Sequence, residues 1–272
     1  MNEHEKYFFD INGYLVVEDV LTPEEVAACN EAIDQNSDRV RERTEENSLA
    51  RGSSALVGEQ GRGDIGGMLT WPGGGSQPFR DLLAHPNVVP YLINVLGDGF
   101  RLDHLYGIQM RKGTEGQVLH GGGAHISSTH FYRYHDGQIL NGLSVFSFLL
   151  TDQGPGDGGF SCIPGSHKAN FRCPPDVLRL EKDLGMVVQP AARAGSLLIF
   201  TEALTHGTKP WTADHQRRAI LYKYSPGSVS YAHRYRPDGV DDILDELTPA
   251  QRAVLEPPYR PGRPSIEELV QE

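Results

Sequence analysis

The sequence predicts a mainly β, α+β protein: a β-barrel or jelly roll with helices packed outside it. Three observations carry this reading. Short β-branched and aromatic runs recur through the middle of the chain, behind an N-terminal helical portion. Glycine (31) and proline (18) are abundant, as in folds rich in turns. The 272 residues, 38% of them hydrophobic, suffice for one good core, so residues 1–272 read as a single domain.

The elements follow in order. Residues 7–17 pair a short aromatic helix with a β-branched strand, and Asn12-Gly13 is the turn between them. Thr22 then caps a helix, with Pro23 at its first position and Glu25 closing a capping box. Val26, Ile33 and Val40 recur at heptad-like spacing, so this amphipathic surface helix runs to about Arg43. Residues 44–78 are Gly-rich and polar with little periodicity. A stretch this long without structure reads as a lid over a site or as a mobile surface loop. Residues 79–96 form a helix pair broken at Pro86. Residues 100–112 form a strand, with Leu105, Gly107 and Gln109 on one side and Tyr106, Ile108 and Met110 on the other. A histidine-rich loop over 124–134 closes at the turn His135-Asp136-Gly137. The strongest strand spans 141–151, and the tight turn 154–159 leads into another at 160–163. A short polar helix near 175–183 precedes strands at 186–189, 196–200 and 218–224. Two small helices, 242–247 and 249–255, and a Pro-rich stretch make a C-terminal arm over 241–272.

Bulk properties exclude several classes. A formal net charge of −11 argues against a nucleic-acid polymer as partner, although a local cationic pocket could still take a small anion. Three irregularly spaced cysteines (Cys29, Cys162, Cys173) make neither a disulfide framework nor a zinc knuckle and fit a reducing cytoplasm. The first ten residues lack the apolar core of a signal peptide, and no run of eighteen apolar residues exists to span a membrane. The expectation is a cytoplasmic protein acting on a small molecule, with the oligomeric state left open.

Two histidines stand out of eleven. His120, in Leu119-His120-Gly121-Gly122-Gly123, and His206, in Thr205-His206-Gly207, each sit at a strand edge beside residues too small to crowd an ion. Neutral imidazole is the commonest metal ligand, so the pair reads as two ligands of one metal inside the barrel. After His206 the chain turns at Lys209-Pro210-Trp211, and Arg217-Arg218 opens the returning strand. An arginine there can point at the same cavity and clamp a carboxylate, or the two can form an exposed basic pair.

The segment from Asp157 to Lys168 (Asp157-Gly158-Gly159-Phe160-Ser161-Cys162-Ile163-Pro164-Gly165-Ser166-His167-Lys168) resembles the signature turn of the phytanoyl-CoA dioxygenase family. The opening Phe9-Asp10-Ile11-Asn12-Gly13-Tyr14-Leu15-Val16-Val17 and the spacing from His206 to Arg217 resemble it too. The resemblance runs from about Tyr7 to Tyr224. It implies a double-stranded β-helix, a jelly roll of cupin-like form with N-terminal helices packed on it. It further implies an enzyme using iron(II), 2-oxoglutarate and O2 on an unactivated C–H bond. Carried over residue by residue, His120 and His206 would bind iron and Arg217 the distal carboxylate of 2-oxoglutarate. Gln109, on an adjacent strand, is a second candidate for that cosubstrate, or a strand-face amide.

The departure lies at Gly122, where the family's usual His-X-Asp has its acid. Three outcomes stay open. Gly122 can leave an open position for chloride, as in the iron/2-oxoglutarate halogenases, and radical chlorination is the favoured expectation because a halide would restore the site's charge. A carboxylate from elsewhere can fill the gap and make a hydroxylase: Glu202, four residues before His206 and too far without a bend, or Asp136 or Asp157 from loops. Or the protein is a non-catalytic cupin-like binding module. His125, His130 and His135 are rivals to His120. Loops 44–78 and 125–135 and the C-terminal arm are expected substrate walls, with Trp211, Arg133, Arg51 and Arg62 as substrate contacts. The Gly-rich 154–159 segment lacks the lysine and helix of a phosphate loop, and Ser161, Ser166 and His167 lack an orienting acid for a hydrolase triad.

Overall fold

The computed structural model describes residues 1–124, 127–232, 235–259 and 261–271. Its N-terminal part comprises α1 (Glu3–Asn12), β1 (Tyr14–Val17), α2 (Pro23–Gln35), β2 (Arg41–Glu42), β3 (Gly63–Ile65), α3 (Gln77–Asp81) and α4 (Val89–Leu96). The middle carries β4 (Arg101–Met110), β5 (Gln117–His120), β6 (Tyr132–His135), β7 (Gln138–Asn141), β8 (Ser144–Leu149), β9 (Gly159–Ile163) and α5 (Pro175–Leu178). β10 (Leu197–Thr201), β11 (Thr205–Lys209), β12 (Arg217–Ser225), α6 (Pro249–Val254) and α7 (Ile266–Gln271) complete it. A seven-stranded sheet, ordered β1-β10-β8-β12-β4-β3-β2, lies against a three-stranded sheet, β5-β11-β9, and β6-β7 form a separate hairpin. All named pairings are antiparallel. This is the expected jelly roll with helices outside it.

Strand alternation divides the large sheet into two environments. One face presents Phe146, Phe148, Leu197, Ile199, Ile220, Tyr222 and Tyr224, which pack under the helices in the main core. The Tyr222 and Tyr224 hydroxyls donate to the carbonyls of Phe79 and Leu83, tying the helical layer down at each buried polar end. The other face turns Val145, Leu198, Phe200 and Leu221 toward Phe160 and Cys162 of the small sheet. The barrel interior therefore has its own core, and the site opens beside it.

Local chemistry sets the helix ends. Asn2 with Glu5, and Thr22 with Glu25, form capping boxes for α1 and α2. α1 stops at Gly13, whose φ of 78° suits glycine. α2 ends at Gln35 rather than near Arg43, because the Asn36 amide bonds back to the Ala32 carbonyl and the chain turns into β2. Residues 44–78 are not structureless: β3 adds to the edge of β4, and Ile65, Met68, Leu69 and Trp71 are buried. Residues 186–189 form no strand; only Val188 bridges, to Cys162, before Pro190 ends the run. The C-terminal arm adds an unforeseen helix, α7, and Val254, Leu255 and Ile266 join the outer core, so much of it serves the helical layer. Among the described residues, no helix is long and apolar enough to cross a membrane.

Phe148 is fully buried, with its ring 5.3 Å from that of Tyr222. Phe148→Ala is expected to cost about 3–5 kcal/mol, measured as a lowered midpoint in urea denaturation.

Candidate metal centre and cosubstrate pocket

The antiparallel register of β11 on β5 places His206 directly opposite His120, and the two ring centroids lie 4.2 Å apart. The Phe200 ring, from the large sheet, packs 4.7 Å from His206, so the pair faces the barrel interior. Each ring is oriented by the backbone two residues before it: Nδ1 of His206 donates to the Leu204 carbonyl (2.8 Å) and Nδ1 of His120 to the Val118 carbonyl (3.3 Å). These bonds leave both Nε2 lone pairs for a ligand, the usual way a backbone carbonyl sets the tautomer of a metal-binding histidine. Burial pushes the His206 pKa down to about 3, with the neighbouring His120 adding to the fall and Glu202 opposing it. Burial lowers His120 as well. Both rings are therefore neutral, the form that binds metal.

Glu202 joins them. The chain leaves β10 at Thr201 and enters β11 at Thr205, so residues 202–204 form the bend that brings Glu202 back over His206. Glu202 Oε2 lies 3.8 Å from His206 Nε2, and the candidate ligand atoms of His120, Glu202 and His206 all lie within 4.8 Å of one another. Burial alone would raise the Glu202 pKa. Lys223, then His206 and His120, outweigh it and hold the carboxyl well below the usual range. Lys223 Nζ sits 2.6 Å from Glu202 Oε1. Two neutral imidazoles and one carboxylate, converging with their lone pairs inward, are the donor set of a non-haem iron(II) centre, and the residues fit that ion.

Gly121 and Gly122 make the approach of this turn feasible. A Cβ on Gly121 would strike the backbone oxygens of Leu204 and Glu202, and its φ of +85° is one that side chains avoid. The Gly122 N–H donates to the Ala203 carbonyl at 2.9 Å. With φ +107°, a Cβ on Gly122 would meet Thr205 Oγ1 at 3.0 Å and no other described atom within 4 Å, so none of the three candidate ligands is adjacent to that point.

Arg217 opens β12 on the same face as Ala219, Leu221 and Lys223 and is 3% exposed. Its Nε donates to Gln153 Oε1 (3.0 Å) and its Nη1 contacts Met110 Sδ (3.5 Å). Among the described residues it has no carboxylate partner, and burial, aided by the charge of Arg62, pushes its pKa down to about 9. A desolvated guanidinium without a counter-ion is costly, and a carboxylate brought in by a cosubstrate would complete it. The signature turn explains its own glycine here: a Cβ on Gly159 would lie 2.8 Å from Arg217 Nε.

The other expected residues fall elsewhere. Gln109 lies on the opposite face of β4 from Met110, the residue paired with Arg217, and accepts from Gln216. Trp211 is wholly buried, its Nε1 donating to the His215 carbonyl, and offers no cavity wall. Arg133 is exposed on the β6-β7 hairpin. Asp136 pairs with its exposed neighbour His135, and Asp157 accepts from Gly154 N–H within its own turn, so neither reaches the imidazoles. His130 Nε2 is 3.9 Å from Glu202 Oε2, at the rim of the centre. His125 lies outside the described residues. Arg62 is held by Asp64 and Gln117, with its guanidinium 5.8 Å from the Tyr106 ring. Lys223 was not foreseen, although it shares the strand parity of Arg217, the available signal.

Residues 9–219 match the family model described as phytanoyl-CoA dioxygenase (PhyH). Curated protein sequences give no match. Similar solved structures include HygX from Streptomyces hygroscopicus with nickel and 2-oxoglutarate bound (23% identity, TM-score 0.65, 85% of this chain and 89% of that one covered). Others are SnoK, a non-heme alpha ketoglutarate dependent carbocyclase from nogalamycin biosynthesis (18%, 0.59, 96% and 94%), and AviO1 from Streptomyces viridochromogenes Tue57 (17%, 0.60, 84% and 96%). The likeness to these structures establishes the shared fold. The family model spans well over half of the sequence, and this chain belongs to the phytanoyl-CoA dioxygenase family, whose members are iron(II)- and 2-oxoglutarate-dependent oxygenases.

Proposed function

We propose that the protein hydroxylates an unactivated C–H bond of a small molecule, with His120, Glu202 and His206 holding iron(II) and Arg217 anchoring 2-oxoglutarate. The observation that carries this reading is the Glu202 carboxylate, buried and ionised beside the two imidazoles. It supplies the acid that Gly122 lacks. The second reading, chlorination through an open position beside Gly122, draws support from the missing acid alone. Glu202 already provides the negative charge that a halide would otherwise restore.

When bound, iron and 2-oxoglutarate supply the oxidising chemistry: one oxygen atom of O2 goes into succinate as CO2 leaves, and the other into the substrate C–H bond. The chain's own residues bind and orient. His120 and His206 stay neutral, with Nε2 fixed by their Nδ1 bonds. Arg217, buried on the interior face of β12 and without a carboxylate partner among the described residues, is ready to receive one. Phe160 and Phe200, with ring centroids 4.7 Å apart beside His206, keep water from that side of the centre. HygX has been crystallised with hygromycin B, in keeping with a small-molecule substrate here. The cationic interior around Arg62 and Arg217 fits small anions, not a polymer.

Glu202→Ala is expected to weaken iron(II) binding by more than the about 10–100-fold typical of losing a mere outer-shell partner, read by anaerobic titration. Gly122→Asp in that background should not restore it; restoration would favour the open-position reading. Arg217→Ala is expected to raise the KM for 2-oxoglutarate at least about 30-fold, matching the ~2 kcal/mol lower bound for breaking a buried charge pair. In reactions containing chloride, mass spectrometry of the product should show an added oxygen and no chlorine isotope pattern. Gly121→Ala should weaken iron binding at least about tenfold, because the turn bearing Glu202 must retreat.

A further inference from the structure

Lys223 has no part in the reading above beyond neutralising a charge, yet its placement is specific. It is 9% exposed, and Glu202 is 4% exposed. Its Nζ lies 2.6 Å from Glu202 Oε1 and 5.4 Å from the centre of the Tyr106 ring, which flanks it. The register of β12 on β4 shifts between Lys223 and Tyr224, skipping from His104 to Leu102. Such bulges re-aim a side chain at the place where they occur. The two oxygens of Glu202 thus have different surroundings. Oε1 faces the ammonium. Oε2 faces His206 Nε2 at 3.8 Å and His130 Nε2 at 3.9 Å.

We infer that Lys223 is a positioning residue that occupies one oxygen of Glu202, so that this carboxylate gives iron one donor atom instead of two. The inference rests on the reading of Glu202 as third ligand. Its consequence follows from counting an octahedral site. Two imidazoles, one carboxylate oxygen and the two donor oxygens of a chelating 2-oxo acid leave one position for dioxygen. A carboxylate bound through both oxygens would fill that position. A glutamate on a turn has the freedom to chelate in either manner, whereas the ammonium of Lys223, 2.6 Å away, withholds Oε1. An aspartate on a strand is stiffer and shorter; the move of the acid into the β10–β11 turn creates the need for the lysine.

The test uses the full-length protein, anaerobic, loaded to saturation with iron(II) and 2-oxoglutarate, with nitric oxide as the probe for the open position, read by electron paramagnetic resonance. Wild type should form the high-spin iron–nitrosyl adduct. Lys223→Met should retain iron and 2-oxoglutarate affinity within a few-fold but lose nitric oxide affinity at least tenfold. Lys223→Gln, whose amide nitrogen is one bond nearer the backbone than the lysine head and carries no charge, keeps a polar group in the pocket and should behave the same way if the methionine variant does not fold. Lys223→Arg, which keeps the cation and donors, should recover nitric oxide binding. Unchanged nitric oxide affinity in the folded methionine or glutamine variant overturns the inference. So does loss of iron itself in that variant, which would make the lysine a support for the turn and nothing more. Glu202→Ala separates the two levels. If it keeps wild-type iron affinity, Glu202 is no ligand and the underlying reading fails; if it loses iron while Lys223→Met binds nitric oxide normally, only the role of Lys223 fails.

Discussion

The pairing of β11 with β5 is the constraint on which the rest of the centre depends. It sets His206 across from His120 on adjacent antiparallel strands, where directly opposed side chains point to the same face. A slip of one residue would turn one ring out of the barrel. Both rings then use the same device, a bond from Nδ1 to the carbonyl two residues earlier in the chain. The ligand geometry is thus built from local backbone as well as from the meeting of distant segments.

The acid beside the two imidazoles stands on the turn that precedes the second histidine, not on the strand that carries the first. That placement is a matter of space. Gly121 brings bare backbone against the oxygens of Glu202 and Leu204, and the Gly122 amide bonds into the same turn. A side chain at Gly121 would push the turn, and Glu202 with it, away. Charge closes the arrangement: a single carboxylate stands beside two neutral rings.

The two faces of the large sheet divide labour between stability and chemistry. Under the helices lie aromatic and aliphatic side chains with satisfied hydroxyls. Inside the barrel a smaller apolar core borders charged groups that would be expensive in isolation. Glu202 and Lys223 compensate each other there, while Arg217 has an amide and a thioether but, among the described residues, no anion. An uncompensated guanidinium beside compensated neighbours is the basis for proposing that an anionic cosubstrate binds there.

Much of this could be read directly from the chain. The alternation in residues 100–112 and 218–224, the turn glycines and the capping boxes determine the strands and helices, because these signals are local. That the two histidines converge and that Arg217 turns inward was legible, because glycine neighbours and strand position restrict what such residues can do and because the segment 157–168 carries a specific resemblance. Gln109, Trp211 and Arg133 were misplaced by proximity in sequence, since strand parity and burial, not nearness, decide which side chains enter the cavity. Only the tertiary structure could show which of Glu202, Asp136 and Asp157 lies beside the imidazoles. That choice turns on how closely the 202–204 turn approaches the backbone at Gly121, a distance between segments some eighty residues apart that no local pattern encodes.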